Sequence, residues 1–167
     1  VMASTLNAAA STGIGSTNAI ETNVTTLSVI NGSTAGAITI TEADDVSVSG
    51  SNAFATGAVS ITTTDGTITV NASNLSSNNG IITLTANDAT ADNTTPTGIT
   101  VSGTITSGGG AINLLAADDI ALGANVNATG GTVTITADSA AQDTFADTDG
   151  AITRTAGTVT GGTVNLN

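Results

Sequence analysis

Apolar and polar residues alternate in short runs that recur along the chain. In GAITITEADDVSVSG (Gly36 to Gly50) the apolar positions are Ile38, Ile40, Val46 and Val48. In GAINLLAADDIALG (Gly110 to Gly123) their counterparts are Ile112, Leu114, Ile120 and Leu122. The same turn separates the two pairs, Asp44-Asp45 in one and Asp118-Asp119 in the other. A period of two is the signature of a strand with one buried face. Such units open at Gly36, Gly57, Gly80, Gly110, Gly131 and Gly162. Each begins with a first strand: Ile38/Ile40, Val59/Ile61, Ile82/Leu84, Ile112/Leu114, Val133/Ile135 and Val164/Leu166. A second strand follows the turn: Val46/Val48, Ile68/Val70, Ile99/Val101, Ile120/Leu122 and Ile152/Arg154. One more apolar position comes next, at Phe54, Leu75, Ile105, Val126 and Val159.

Three short strands and three turns per unit are the size of one turn of a solenoid. The pattern predicts an all-β fold, a parallel β-helix of about six coils with three short strands per coil. General precedent for parallel crossovers makes it right-handed. At a layer spacing of ~4.8 Å it is a rod of roughly 30 Å. A globular sandwich is the competing fold, but it does not require turns in fixed register. Residues 36–167 are expected to form the repeat body. Its longer units carry extra residues in the first turn, at 87–97 and 138–149, so both loops should leave the same side of the rod. Residues 1–35 are less regular and are expected to form an atypical N-terminal coil or cap, with Ile20, Val24, Leu27 and Val29 inward.

Composition sharpens this picture. The chain has 167 residues, one cationic side chain (Arg154) and 13 acids, for a net charge of −12. Phosphate-rich partners need Lys or Arg, so nucleic acid and anionic membrane surfaces are not expected partners. No apolar run is long enough to insert in a membrane. Cysteine and histidine are lacking, and aromatics make up 1% of the chain. A narrow lumen lined by Val, Ile, Leu and Ala accounts for the scarcity of rings. The chain opens on Val1 without a basic and apolar leader, and is expected to be a mature or excised part of something longer. An acidic, Thr-rich, cysteine-free composition suits an extracellular or cell-surface setting.

GIGSTNAIETNVTTLSVINGS (Gly13 to Ser33), followed by the GAITITE run from Gly36, resembles the repeat regions of giant bacterial surface adhesins of the filamentous-haemagglutinin and autotransporter type. The resemblance spans nearly the whole chain. It implies a right-handed β-helical stalk, secretion, and a role in adhesion or biofilm.

The acids are not scattered. All except Glu21 fall in the first turn or its insertions. Four residues beyond the second inward residue of the first strand stand Asp44, Asp65, Asp88 and Asp118, with Ser139 next. Two readings follow. Asp favours turns because its carboxylate accepts nearby backbone N–H groups. Alternatively, the stacked carboxylates form a calcium ladder, to which Asp45, Asp119 and Glu42 add oxygens. Unit charges ~5 Å apart repel by about 0.8 kcal/mol in water and about 3 kcal/mol at an effective dielectric of 20, a cost that a divalent ion would remove. Neither the EF-hand loop nor the glycine-rich calcium nonapeptide is present.

Catalysis is not expected. Paired aspartates superficially suit glycoside hydrolysis, but His and a basic cluster for anionic sugar are missing. Ser-His and Cys-His arrangements are impossible in this composition. The expected role is a structural or adhesive solenoid stalk. Two alternatives stand beside it. One is a self-assembling subunit of an extracellular fibre, joined by end-to-end strand pairing and calcium-dependent in one form. The other is an ice- or surface-binding solenoid using outward Thr39/Thr41, Ser60/Thr62, Thr83/Thr85 and Thr134/Thr136, interrupted by Asn113/Leu115. The expected partners are flanking repeats of a longer chain, identical subunits, or a host or matrix surface. Sequons at Asn23, Asn31, Asn71, Asn74, Asn93 and Asn127 permit glycosylation.

Arg154 breaks the pattern, because its register is that of the inward Val48, Val70, Val101 and Leu122. A buried guanidinium needs a partner, so either the strand distorts there or Arg154 reaches Asp147 or Asp149.

Overall fold

The computed structural model describes residues 1–32, 36–53, 56–89, 98–143 and 150–167. Among them every regular element is a strand, and all the strand pairs are parallel, joined in one 16-stranded sheet wrapped into a solenoid. Two long strands open the chain, β1 (Met2–Ala10) and β2 (Ile20–Asn31). They are followed by β3 (Ile38–Glu42), β4 (Val46–Asn52), β5 (Val59–Thr63) and β6 (Ile68–Ser77). The next layers comprise β7 (Ile82–Ala86), β8 (Ile99–Val101) and β9 (Ile105–Ser107), then β10 (Ile112–Ala116), β11 (Ile120–Leu122) and β12 (Val126–Ala128). The last strands are β13 (Thr132–Thr136), β14 (Ile152–Arg154), β15 (Val159–Thr160) and β16 (Thr163–Leu166).

Three faces result. The first stacks the start of β2 on β3, β5, β7, β10, β13 and β16. The second stacks β1 on β2, β4, β6, β8, β11 and β14. The third continues from the ends of β4 and β6 into β9, β12 and β15. Alternation along each strand dictates what fills the interior. β5, β7 and β10 all bury their first, third and fifth residues. Ile40, Ile61, Leu84, Leu114 and Ile135 therefore stand in one line, each almost fully buried. Burying one such side chain stabilises the fold by about 1.5–3 kcal/mol, and the ladder repeats this gain in every layer.

Three strands per layer hold from β7 onward. Before that, the second and third faces are one bent strand, as in β4 and β6. The corner opens where β4 meets β6. One residue, Ser49, separates Val48 from Gly50, whereas Asn71–Asn74 separate Val70 from Leu75. Register then places Gly50, rather than Phe54, in line with Leu75, Ile105 and Val126. This corrects the assignment of Phe54, which itself lies outside the described residues. Gly50 has φ +149°, and a Cβ there would meet the Val29 carbonyl oxygen at 2.0 Å. Only glycine lets the layers close at that point.

In the N-terminal region, Val24, Leu27 and Val29 are buried and Ile20 is half-buried. β1 covers β2 from Asn23 to Asn31, a strand that the apolar pattern of its first residues did not announce. Ile14 forms a parallel bridge with Ile38 and covers the start of the first face.

Candidate functional site

The corner between the first and second faces gathers the acids, and they do several different jobs. Asp44 is exposed, and its Oδ2 accepts from Asn23 Nδ2 at 3.2 Å. Asp45 Oδ1 accepts the Thr67 backbone N–H, one layer on, at 2.8 Å. Asp119 Oδ1 does the same for Ala151 at 2.8 Å. Asp65 Oδ1 lies 3.4 Å from the Ala89 nitrogen. Asp118 is half-buried, and its carbonyl accepts the N–H of Asp138. Asp138 itself takes the left-handed conformation, with φ +50°.

Asp88 departs from the expected column. It is buried and forms a parallel bridge with Asp143, while its N–H donates to the Gln142 carbonyl at 3.0 Å. The segment that follows β13 reaches back past the Asp118 turn to do this. The roots of the two insertions thus meet on one side of the solenoid; residues 90–97 and 144–149, including Asp147 and Asp149, lie outside the described residues.

Glu42, taken from the sequence as a further oxygen beside the stacked aspartates, lies inside the wall. It holds an inward position between Thr22 and Thr63 and is fully buried. Its Oε2 accepts from the Thr22 hydroxyl, and its Oε1 accepts from the backbone N–H groups of Val24 (2.9 Å) and Ala43 (3.0 Å). β2 turns the corner here without a loop, and Glu42 satisfies an N–H that the turn exposes. Its oxygens are therefore turned away from the corner surface.

Two recurrent devices were missed in the sequence. In the first, a side-chain oxygen just ahead of a strand accepts the backbone N–H of the matching residue one layer on. Asp45 and Asp119 do this on the second face. On the third, Asn74 accepts from Thr104 and Asn125 from Thr158, at 2.8 and 2.9 Å. Asp or Asn directly before Val46, Leu75, Ile120 and Val126 was the available signal. The second device is a buried polar line on the third face, Asn31, Asn52, Ser77 and Ser107. Asn31 donates to Asn52 at 3.0 Å, Asn52 donates to the Gly36 and Ala58 carbonyls, and both Ser77 and Ser107 donate to the Gly80 carbonyl. Each polar atom pairs inside the wall, as burial demands.

Arg154 keeps its register opposite Leu122 without distortion. It is exposed rather than buried, and its Nη1 donates to the Gly157 carbonyl at 2.6 Å.

Among the described residues no group of three or more acidic side chains is placed to hold a metal ion. Asp45 and Asp119 each use an oxygen to tie adjacent layers, and Asp88 is drawn into the wall. No family model matches the chain, and neither a curated protein nor a solved structure matches it.

Proposed function

We propose that the chain is a non-enzymatic structural or adhesive segment of a secreted cell-surface or matrix protein. In this reading it is a right-handed solenoid stalk of about six coils. Residues 1–35 are its atypical first layer, and 36–167 are the body that presents the loops at 87–97 and 138–149. The observation that carries the reading is the unbroken first face. There, inward apolar residues and outward Thr, Ser and Asn keep one register from β3 to β16. Such a ladder is suited to holding loops at a fixed spacing, since each layer is tied to its neighbours by parallel hydrogen bonds. The resemblance to adhesin repeats supports the same reading. Antibodies against the chain should label intact source cells, and labelling only after permeabilisation would rule out the surface role.

A second reading, surface or ice binding, draws on the outward register of Thr41, Thr62 and Thr85 beside Thr39, Ser60 and Thr83. Thermal hysteresis in solutions of the chain is its direct test. A fibre built by end-to-end pairing requires both ends of the solenoid to accept a second copy.

A further inference from the structure

We propose that Asn79 is a site of spontaneous covalent modification, where attack by the following backbone nitrogen turns the side-chain amide into a carboxylate, and that the wall of the solenoid withholds the same reaction from Asn31. This goes beyond the stalk reading, since it depends on the packing of the layers and not on where the protein works.

The chain holds two Asn-Gly pairs, Asn31-Gly32 and Asn79-Gly80. Glycine hinders this chemistry least, because it puts no side chain beside the attacking nitrogen. That nitrogen gives its proton to hydroxide and bonds to the asparagine Cγ, and the side-chain nitrogen leaves as ammonia. Water then opens the five-membered imide at either carbonyl. One product is aspartate in an ordinary backbone; the other is isoaspartate, whose backbone runs through the side chain. Water is the only co-reactant. The reaction needs a side chain that can turn, an N–H that base can reach, and solvent.

Asn31 is denied all three. It is fully buried. Its Oδ1 accepts the Gly13 N–H at 3.1 Å, and its Nδ2 donates to the Gly36 carbonyl at 3.1 Å and to Asn52 Oδ1 at 3.0 Å. The attacking atom is engaged as well, since the Gly32 N–H donates to the Ala10 carbonyl at 2.7 Å. Cyclisation there must wait for the wall to open locally. Asn79 is placed differently. It stands on the corner between the third and first faces, after β6 and before β7, and is exposed to solvent. The next layer leaves its amide room, because the residue beside it is Gly109; a Cβ there would come within 2.8 Å of Asn79 Oδ1. The product changes that corner. The Gly80 carbonyl accepts the buried hydroxyls of Ser77 and Ser107, and a Cβ on Gly80 would fall 1.9 Å from the Gly57 carbonyl oxygen. Isoaspartate lengthens the main chain by a carbon just ahead of this tightly packed residue. Ordinary aspartate adds only a charge, at a corner other than the acidic one.

The test is to hold the full chain in mildly alkaline buffer, with and without urea, and to follow both pairs by mass spectrometry after peptic digestion. Each conversion exchanges NH2 for OH and adds nearly one mass unit. Without urea, Asn79 should convert at least ten times faster than Asn31. In urea the two rates should converge, because the unfolded chain protects neither. Asn79→Ser should abolish the fast mass gain, and the isoaspartyl form, separated by ion exchange, should unfold at lower denaturant than Asn79→Asp. An Asn79 that stays intact without urea, over the time that converts it in urea, overturns the proposal. So do equal rates at the two sites without urea, and so does a fast gain that survives Asn79→Ser. Far-UV circular dichroism on each sample separates these outcomes from failure of the solenoid itself, in which the chain would lack a β spectrum.

Discussion

Glu42 has two backbone N–H groups and a hydroxyl directed at one buried carboxylate. Removing it strands donors that water cannot reach. Glu42→Ala should cost about 1–3 kcal/mol in denaturant unfolding, the penalty for unsatisfied buried polar groups. Glu42→Gln, which keeps an acceptor, should cost less; equal losses would show that packing rather than hydrogen bonding matters there. Asp45 and Asp119 lead to a comparable prediction at the surface. Asp→Ala at either should cost about 0.5–1.5 kcal/mol, a typical net hydrogen bond, and Asp→Asn should recover most of it, with the same difference in calcium and in chelator. A loss that appears only in calcium would return these residues to a ligand role. Gly50→Ala is the severe case, because its Cβ would fall 2.0 Å from a carbonyl oxygen at a φ of +149°. It should lower the unfolding midpoint more than any of these.

Strands were the most legible elements. Ile38, Ile61, Leu84, Ile112 and Ile135 were placed by period alone, because one slip would expose a whole face. Leu84→Ala should accordingly cost about 2–5 kcal/mol, whereas Leu166→Ala at the exposed end should stay within about 0.5 kcal/mol. Similar losses at both would mean that the end layer is packed as tightly as the middle. Corners were less legible, because counting along the chain assumes that every corner has the same length. It does not: Ser49 alone faces the four residues Asn71–Asn74, which is why Phe54 was given the place of Gly50. The same assumption put Asp88 in a surface column, although the chain beyond β13 folds back to pair with it. The inward places of Asn31 and Asn52 were not legible, because a polar residue at an inward position looks like a turn until its partners in adjacent layers are known.

Among the described residues most acids lie at the corner between the first and second faces, and the net charge of the chain is −12. Repulsion of this kind is screened by salt, with a Debye length of about 30 Å at 0.01 M falling to about 8 Å at 0.15 M. The unfolding midpoint should therefore rise with sodium chloride over that range, and a midpoint that falls would show that attractive pairs dominate instead. The central claim is that one register runs through successive layers of a parallel stack. Glu21, Thr41, Thr62, Thr85, Leu115 and Thr136 stand in one line on the outward side of the first face. The chain has no cysteine, so pairs of introduced cysteines can carry nitroxide labels without interference. The most direct test is the dipolar distance between labels at 21 and 136, compared with labels at 41 and 136. At ~4.8 Å per layer the backbone separations are about 24 Å and about 19 Å, and the two distances should differ by one layer. Equal distances, or a longer one for the pair that spans fewer layers, would contradict the continuous stack.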